Sequence, residues 1–344
     1  MMKVIEKERL ASLIDGWIEE RKVYAPAERR DLIVFEEIES GGEAHLEFNN
    51  TRVPPKSVYY PQREVLFTTT GKEGDVELKT PASLEETVIF GVRPCDAHAV
   101  TLLDAFFGSG EHKDTSYLSR REKITLVGLA CNDPAGTCFC TSVGGDPHER
   151  QGLDAIFVDL GDRYLIEAMT ERGQRLLDGS DLMRDAVERD LREAKELRKR
   201  AEAQIDKLEL DGLDERLDGL FEDPLWEEMQ RKCMGCGVCT FTCPTCWCFD
   251  MADEEVPEGT ERIRFWDTCQ AALFTKQGSG FNPRPSGKER MRQRVMHKFN
   301  YYHKDFGRPA CVGCGRCVTS CPVNQDIREV LVKLMGLERG EADE

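Results

Sequence analysis

The sequence predicts a mixed α/β fold, of α+β or α/β type, in three parts. These are an N-terminal α/β domain over residues 1–175, a charged helical connector over 176–225 and a cysteine-rich C-terminal domain over 226–335. Three observations predict it. Short apolar runs broken by Gly, Pro and Asn fill the first 160 residues, the composition turns to Glu, Arg, Lys, Ala and Leu from about 181 to 220, and one cysteine spacing occurs twice in the last third. At 344 residues the chain can build several cores without staples.

The elements follow in order. Leu10, Leu13, Ile14 and Trp17 recur at helical spacing. The runs DLIVFEEI, EVLFTTT, TVIFGV and ITLVGLA then read as strands. TVIFGV leads into Arg93-Pro94-Cys95-Asp96, and ITLVGLA into Cys131-Asn132-Asp133. Ligands of open α/β sheets collect at the carboxyl ends of strands, so both cysteines fall where a site is expected. Between the two runs, AHAVTLLDAFFG has the apolar repeat of a crossover helix ended by Gly108, with Asp96 placed to cap its start. The charged segment reads as one long helix and a shorter one. Leu191, Ala194, Ala201, Ile205 and Leu208 follow heptad spacing, which Arg198 interrupts. Such a helix is either a solvated arm packed on the body or a docking surface for a partner.

Composition narrows the chemistry. A net charge of −17 argues against nucleic acid or an anionic membrane as partner. One region departs from this: Arg284 to Arg308 carries eight Lys or Arg against two acidic residues, either a solvated basic face or a set of charges that balances buried anionic clusters or docks a partner. No run approaches the roughly 18 apolar residues of a membrane span, so no direct membrane span is expected. The charged N-terminus lacks a secretory pattern, which points to the cytoplasm, where clustered thiols hold metal or do redox chemistry rather than form disulfides. No Gly-x-Gly-x-x-Gly follows a strand and there is no P-loop, so no flavin or nucleotide site is expected in this chain. The six histidines are scattered without a zinc-binding pattern.

The fifteen cysteines carry the strongest signal. Cys233-x-x-Cys236-x-x-Cys239-x-x-x-Cys243-Pro244 recurs as Cys311-x-x-Cys314-x-x-Cys317-x-x-x-Cys321-Pro322. That is the spacing of bacterial ferredoxins with two [4Fe-4S] clusters, in which three thiolates of a motif wrap one cubane and the fourth reaches the other. The expected ligand sets are Cys233, Cys236, Cys239 and Cys321 for cluster one, and Cys311, Cys314, Cys317 and Cys243 for cluster two. Zinc is the alternative, since four-thiolate zinc sites also pair Cys-x-x-Cys elements. An insertion of 67 residues separates the motifs and holds Cys246, Cys248 and Cys269. That trio lacks an evident fourth thiol, and is either a further cluster site or packing beside cluster one. Cys95, Cys131, Cys138 and Cys140 could ligate a third cluster in the N-terminal domain, or serve as buried small hydrophobes.

With these residues in place a resemblance emerges. The segments VIFGVRPCDAHAVTLLDAFF, CFCTSVGGDP, RIRFWDTC, FNPRPSGKERMRQRVMHKF and CVGCGRCVTSCPV resemble a family of dicluster iron–sulfur subunits, which includes those of anaerobic sulfite reductase and the sulfhydrogenase beta subunit. They are also similar to the equivalent subunit of flavin oxidoreductase complexes coupled to heterodisulfide reductase. The likeness runs from about Pro54 to Asp326, interrupted by the charged helix. It implies partners: a flavin-containing subunit that oxidises NAD(P)H, and a hydrogenase, sulfite reductase or heterodisulfide reductase-type subunit. The expected role is to relay single electrons between them. The alternative is a catalytic subunit, with an open-site cluster in the N-terminal domain reducing a sulfur or thiol substrate.

Overall fold

The computed structural model describes residues 2–72, 75–81 and 85–336. Twelve strands are described: β1 (Lys3–Glu6), β2 (Lys22–Arg29), β3 (Leu32–Glu37), β4 (Arg63–Lys72), β5 (Asp75–Lys79), β6 (Thr87–Val92), β7 (Ile124–Leu129), β8 (Ala155–Asp159), β9 (Arg163–Ala168), β10 (Arg184–Asp185), β11 (Phe249–Val256) and β12 (Gly259–Trp266). Eight of them form one sheet, ordered β10-β1-β9-β8-β7-β6-β2-β3. Its centre, β2-β6-β7-β8, is parallel, and its flanks are antiparallel. Every residue of β6 and β7 is buried, as the continuous apolar runs require of strands covered on both faces.

Two cores lie on the two sides of this sheet. On one side α1 (Lys7–Ile18) buries Leu10, Leu13, Ile14 and Trp17, the four residues read as its apolar face, against Val88, Phe90 and Phe157. Trp17 meets Phe90 edge to face, with centroids 5.7 Å apart. On the other side, after the single turn α2 (Lys56–Tyr59), the crossover helix α3 (Pro94–Gly108) packs with Tyr117 of α4 (Thr115–Glu122) on Ile89 and Leu126. The short helix α5 (Glu171–Leu177), capped by the Thr170 hydroxyl, follows β9.

The charged segment forms α6 (Glu188–Ala203) and α7 (Leu213–Asp218), one long helix and one short. Its heptad does not make a continuous seam: Ala201 and Ile205 are buried, whereas Leu191 is 36% exposed. Arg198, the interruption, pairs with Asp146 and Glu202. The start of α6 is fixed instead by Asp190, which accepts from Arg163 Nε of β9 at 2.8 Å and Arg184 Nη1 of β10 at 3.0 Å. The helix therefore packs across β9 and β8, with Ala194 and Leu197 against the core that holds Ile156, Val158 and Leu165.

The insertion between the cysteine motifs folds in a way its sequence does not suggest. Its segment RIRFW ends β12, which pairs with β11 on one side and with β4 on the other, giving an antiparallel sheet β11-β12-β4-β5. A hairpin from the last third thus completes a sheet begun in the first. The C-terminal segment adds α8 (Leu225–Gln230), α9 (Val238–Phe241), α10 (Gly287–Met296), α11 (Tyr302–Phe306), α12 (Arg316–Thr319) and α13 (Ile327–Gly336). Ser286 and Glu289 form a capping box at the start of α10. A π turn, His297–Tyr301, joins α10 to α11. Trp226, Met291, Val295 and Leu331 centre a third core among these helices. Among the described residues no helix is long and apolar enough to cross a membrane.

Candidate metal centres

The parallel strands place the first centre. The chain leaves the carboxyl ends of β6 and β7 at Arg93 and Ala130, so Cys95 and Cys131 stand side by side at the switch to the following segments. The loop after β7 turns back on itself, with Cys131 N–H donating to Pro147 O and Gly145 N–H to Cys140 O, and brings Cys138 and Cys140 to the same place. Cys95, Cys131, Cys138 and Cys140 line one small cavity, together with Asn50 and Arg93. Burial raises the pKa of all four thiols, Cys138 to about 11 and Cys140 to about 12. Without metal these sulfurs are protonated, and metal binding would release the protons.

The far wall of the cavity belongs to the second cysteine motif. Gly313 and Cys314 line it, Phe139 N–H donates to Gly313 O at 2.8 Å, and Asn50 Nδ2 donates to Cys314 O at 3.0 Å. Only glycine fits there: at Gly313, φ is +60° and an added Cβ would lie 2.5 Å from Cys140 N. A Cβ at Gly315 would meet Thr137 Oγ1 at the same distance. Asp96 does not cap α3. Its buried carboxylate instead accepts from Arg316 of α12, with Nη2 to Oδ2 at 2.6 Å. This buried ion pair ties the cysteine motif to the first domain's helix.

Within the ferredoxin-type segment, both motifs take the same local shape. Each runs through a left-handed glycine, Gly237 or Gly315, into a four-residue helix, α9 or α12. Burial raises the pKa of Cys311, Cys314 and Cys317, with charge on Cys243 adding to the rise, and that of Cys239, with charge on Cys317, Cys269 and Cys233 adding to it. Cys321 Sγ accepts from Gln325 N–H at 3.2 Å. Cys236 is the exposed one among the fifteen cysteines. In the insertion, Cys246 contacts Cys243 and Cys248 contacts Cys269, so the trio is drawn together beside the motifs. Among the described residues no three His, Cys, Asp or Glu side chains close on a point fit for one bare ion.

Sequence reasoning missed two of the buried cations, Lys56 and Arg93, whereas Arg294 and Lys298 fall within the basic stretch from Arg284 to Arg308. Lys56, Arg93, Arg294 and Lys298 are each at most 6% exposed, and among the described residues none has a carboxylate partner. Lys298, on the π turn, donates from Nζ to Cys243 Sγ at 3.4 Å, Thr245 Oγ1 at 2.9 Å and Ala310 O at 2.9 Å. Lys56 donates to Cys243 O and Cys246 O and lies 3.8 Å from the centre of the Trp266 ring. Burial lowers its pKa to about 8. Arg294 faces Cys239 and Cys317, with Nε unpaired. Buried unpaired cations are costly, so these positions call for anions, which iron–sulfur cores bound by thiolates supply. The buried cations and the thiols beside them fit such cores.

The comparisons agree on class. Residues 232–325 match the family described as a 4Fe-4S dicluster domain, which makes the chain an iron–sulfur protein. Over 318 residues it is 34% identical to sulfhydrogenase 2 subunit beta of Pyrococcus furiosus, an alignment covering 90% of this chain and 91% of that one. The chain belongs to the family of sulfhydrogenase beta subunits, as the segments around Cys95, Cys138 and Cys311 led one to expect. No solved structure matches it.

Proposed function

We propose that the chain relays single electrons within a hydrogenase-type complex, between a flavin-containing subunit that oxidises NAD(P)H and a catalytic hydrogenase or reductase subunit. Cys233, Cys236, Cys239 and Cys321 hold one [4Fe-4S] cluster, Cys311, Cys314, Cys317 and Cys243 a second, and Cys95, Cys131, Cys138 and Cys140 a third. Bound there, such clusters carry one electron at a time. The chain's own part is to fix their spacing and set their potentials through charge and hydrogen bonds to sulfur.

One observation carries the reading: the loop Gly313–Cys314 is at once part of the second motif and a wall of the four-thiol cavity. The segment from Thr137 to Cys140 lies against it with no side chain between. Five cysteines line that cavity, and the four that the second motif does not use favour full ligation and electron carriage over an open iron acting on substrate.

Anaerobically purified full-length protein tests this by iron and sulfide content. Twelve irons per chain are expected, falling to about eight in the Cys138→Ser variant, with the spectra of the ferredoxin-type pair retained. Eight irons in the wild type and no change in the variant would remove the third centre. Zinc in place of iron would remove the whole reading.

A further inference from the structure

We propose that Arg93 is the charge partner of a cluster held by Cys95, Cys131, Cys138 and Cys140, and that it raises the potential at which that cluster accepts an electron. The inference rests on the third-centre reading above. Arg93 is 6% exposed and lines the thiol cavity. Its Nη1 donates to Ala130 O at 2.8 Å and Leu129 O at 3.3 Å, and Nη2 donates to Phe48 O. The guanidinium lies over the Phe48 ring, 4.2 Å from its centre. These contacts fix the plane of the group but neutralise nothing, since the acceptors are carbonyls and an arene.

None of the neighbouring acids forms an ion pair with Arg93: Asp96 pairs with Arg316 and Asp146 with Arg198. Nε of Arg93 is buried with no partner. A guanidinium cannot shed its proton, so a site that buries one without a carboxylate must expect an anion. Among the described residues the groups that remain are the cysteines around the same cavity, four of them outside the ferredoxin-type motifs. Once they ligate iron, the assembly is anionic, and reduction by one electron makes it more so without breaking an iron–thiolate bond. A fixed cation stabilises the more negative form by more, which moves the equilibrium towards it. Arg316 cannot serve in this way, because Asp96 cancels it.

The test uses the full chain, prepared anaerobically, in wild-type and Arg93→Gln forms. Iron is counted, and each is titrated with dithionite while the reduced signals are followed by EPR. The expected result is twelve irons in both, with the reduced-to-oxidised ratio of one centre falling about tenfold at fixed potential, a shift of about 59 mV for one electron. Arg93→Lys, which keeps the charge, should recover most of it. Twelve irons with an unchanged titration overturns the role of Arg93 and leaves the third centre standing. Eight irons in the wild type overturns the third centre itself.

Should Arg93→Gln fail to accumulate, the same change in the Cys138→Ser background decides. There the cation has lost its anion, so its removal should restore accumulation and raise the unfolding temperature above that of Cys138→Ser alone. Failure to accumulate in that background too would make Arg93 a structural residue and overturn the inference.

Discussion

His148 illustrates how a single buried group sets a response of the whole chain. It is 4% exposed, with Nε2 unpaired, and burial lowers its pKa to about 4, with Arg198, Arg150 and Arg93 adding to the fall and Asp146 opposing it. The folded state therefore refuses a proton that the unfolded chain takes up near its ordinary value, about 6.5. A depressed histidine stabilises the fold above the unfolded value, and that contribution is lost as pH falls from 6.5 towards 4. Between pH 7.5 and 5.5 the loss comes to about 1.3 kcal/mol. Unfolding free energies from urea titrations of the anaerobic protein at these two pH values should converge by that amount in His148→Gln, and an unaltered gap would show that other groups carry the dependence. Nothing in the string GGDPHER announces this. Lys56 was equally silent, because a lysine in sequence looks the same whether it faces water or a thiolate, whereas Lys298 stood in the basic stretch from Arg284 to Arg308. The cysteines were legible because their spacing is itself the geometry of their ligand.

At the level of elements, legibility followed locality. The crossover helix α3 stood out by its apolar repeat and strands β6 and β7 by their continuous apolar runs, whereas β12 did not, because its partner β4 lies some 190 residues earlier. Helix α6 was visible in composition, but what anchors it was not, since Arg163 is remote in sequence from Asp190. The heptad suggested a seam, and the structure supplies a clamp. Asp190 accepts from Arg163, Arg184 and the Val187 N–H at 3.0 Å, satisfying its carboxylate while it is almost wholly buried. Removing one partner of such a pair costs about 3–5 kcal/mol, because the other charge stays buried. Arg163 keeps Asp162 and Glu193 as partners, which places Asp190→Ala at the lower end, about 3 kcal/mol. Amide exchange across residues 188–203 should then accelerate well before the central strands open. Equal protection in the variant would mean that Ala201 and Ile205 hold α6 unaided.

Over the whole molecule, the ferredoxin-type segment is built into the first domain rather than appended to it. Arg316 of α12 reaches Asp96 of α3 and meets no other carboxylate among the described residues, while its Nε donates to Thr51 O at 2.8 Å. Asn50 holds Cys314, Lys56 holds Cys243 and Cys246, and β12 needs β4 to satisfy its second edge. Small ferredoxins with the same cysteine spacing are complete in themselves, so from the motif alone an excised fragment spanning residues 226–335 would be expected to carry both clusters. The contacts predict otherwise. Cutting at 226 leaves Arg316 without Asp96 and exposes the ladder edge of β12, each a recognised route to instability or aggregation. The fragment, reconstituted anaerobically, should bind well under eight irons and lose them on gel filtration, whereas the full chain carrying Asp96→Asn should keep them at reduced stability. A fragment that holds eight irons as firmly as the full chain would show that the cores alone keep the two halves of each ligand set together, and that the first domain serves only the cavity of Cys95, Cys131, Cys138 and Cys140.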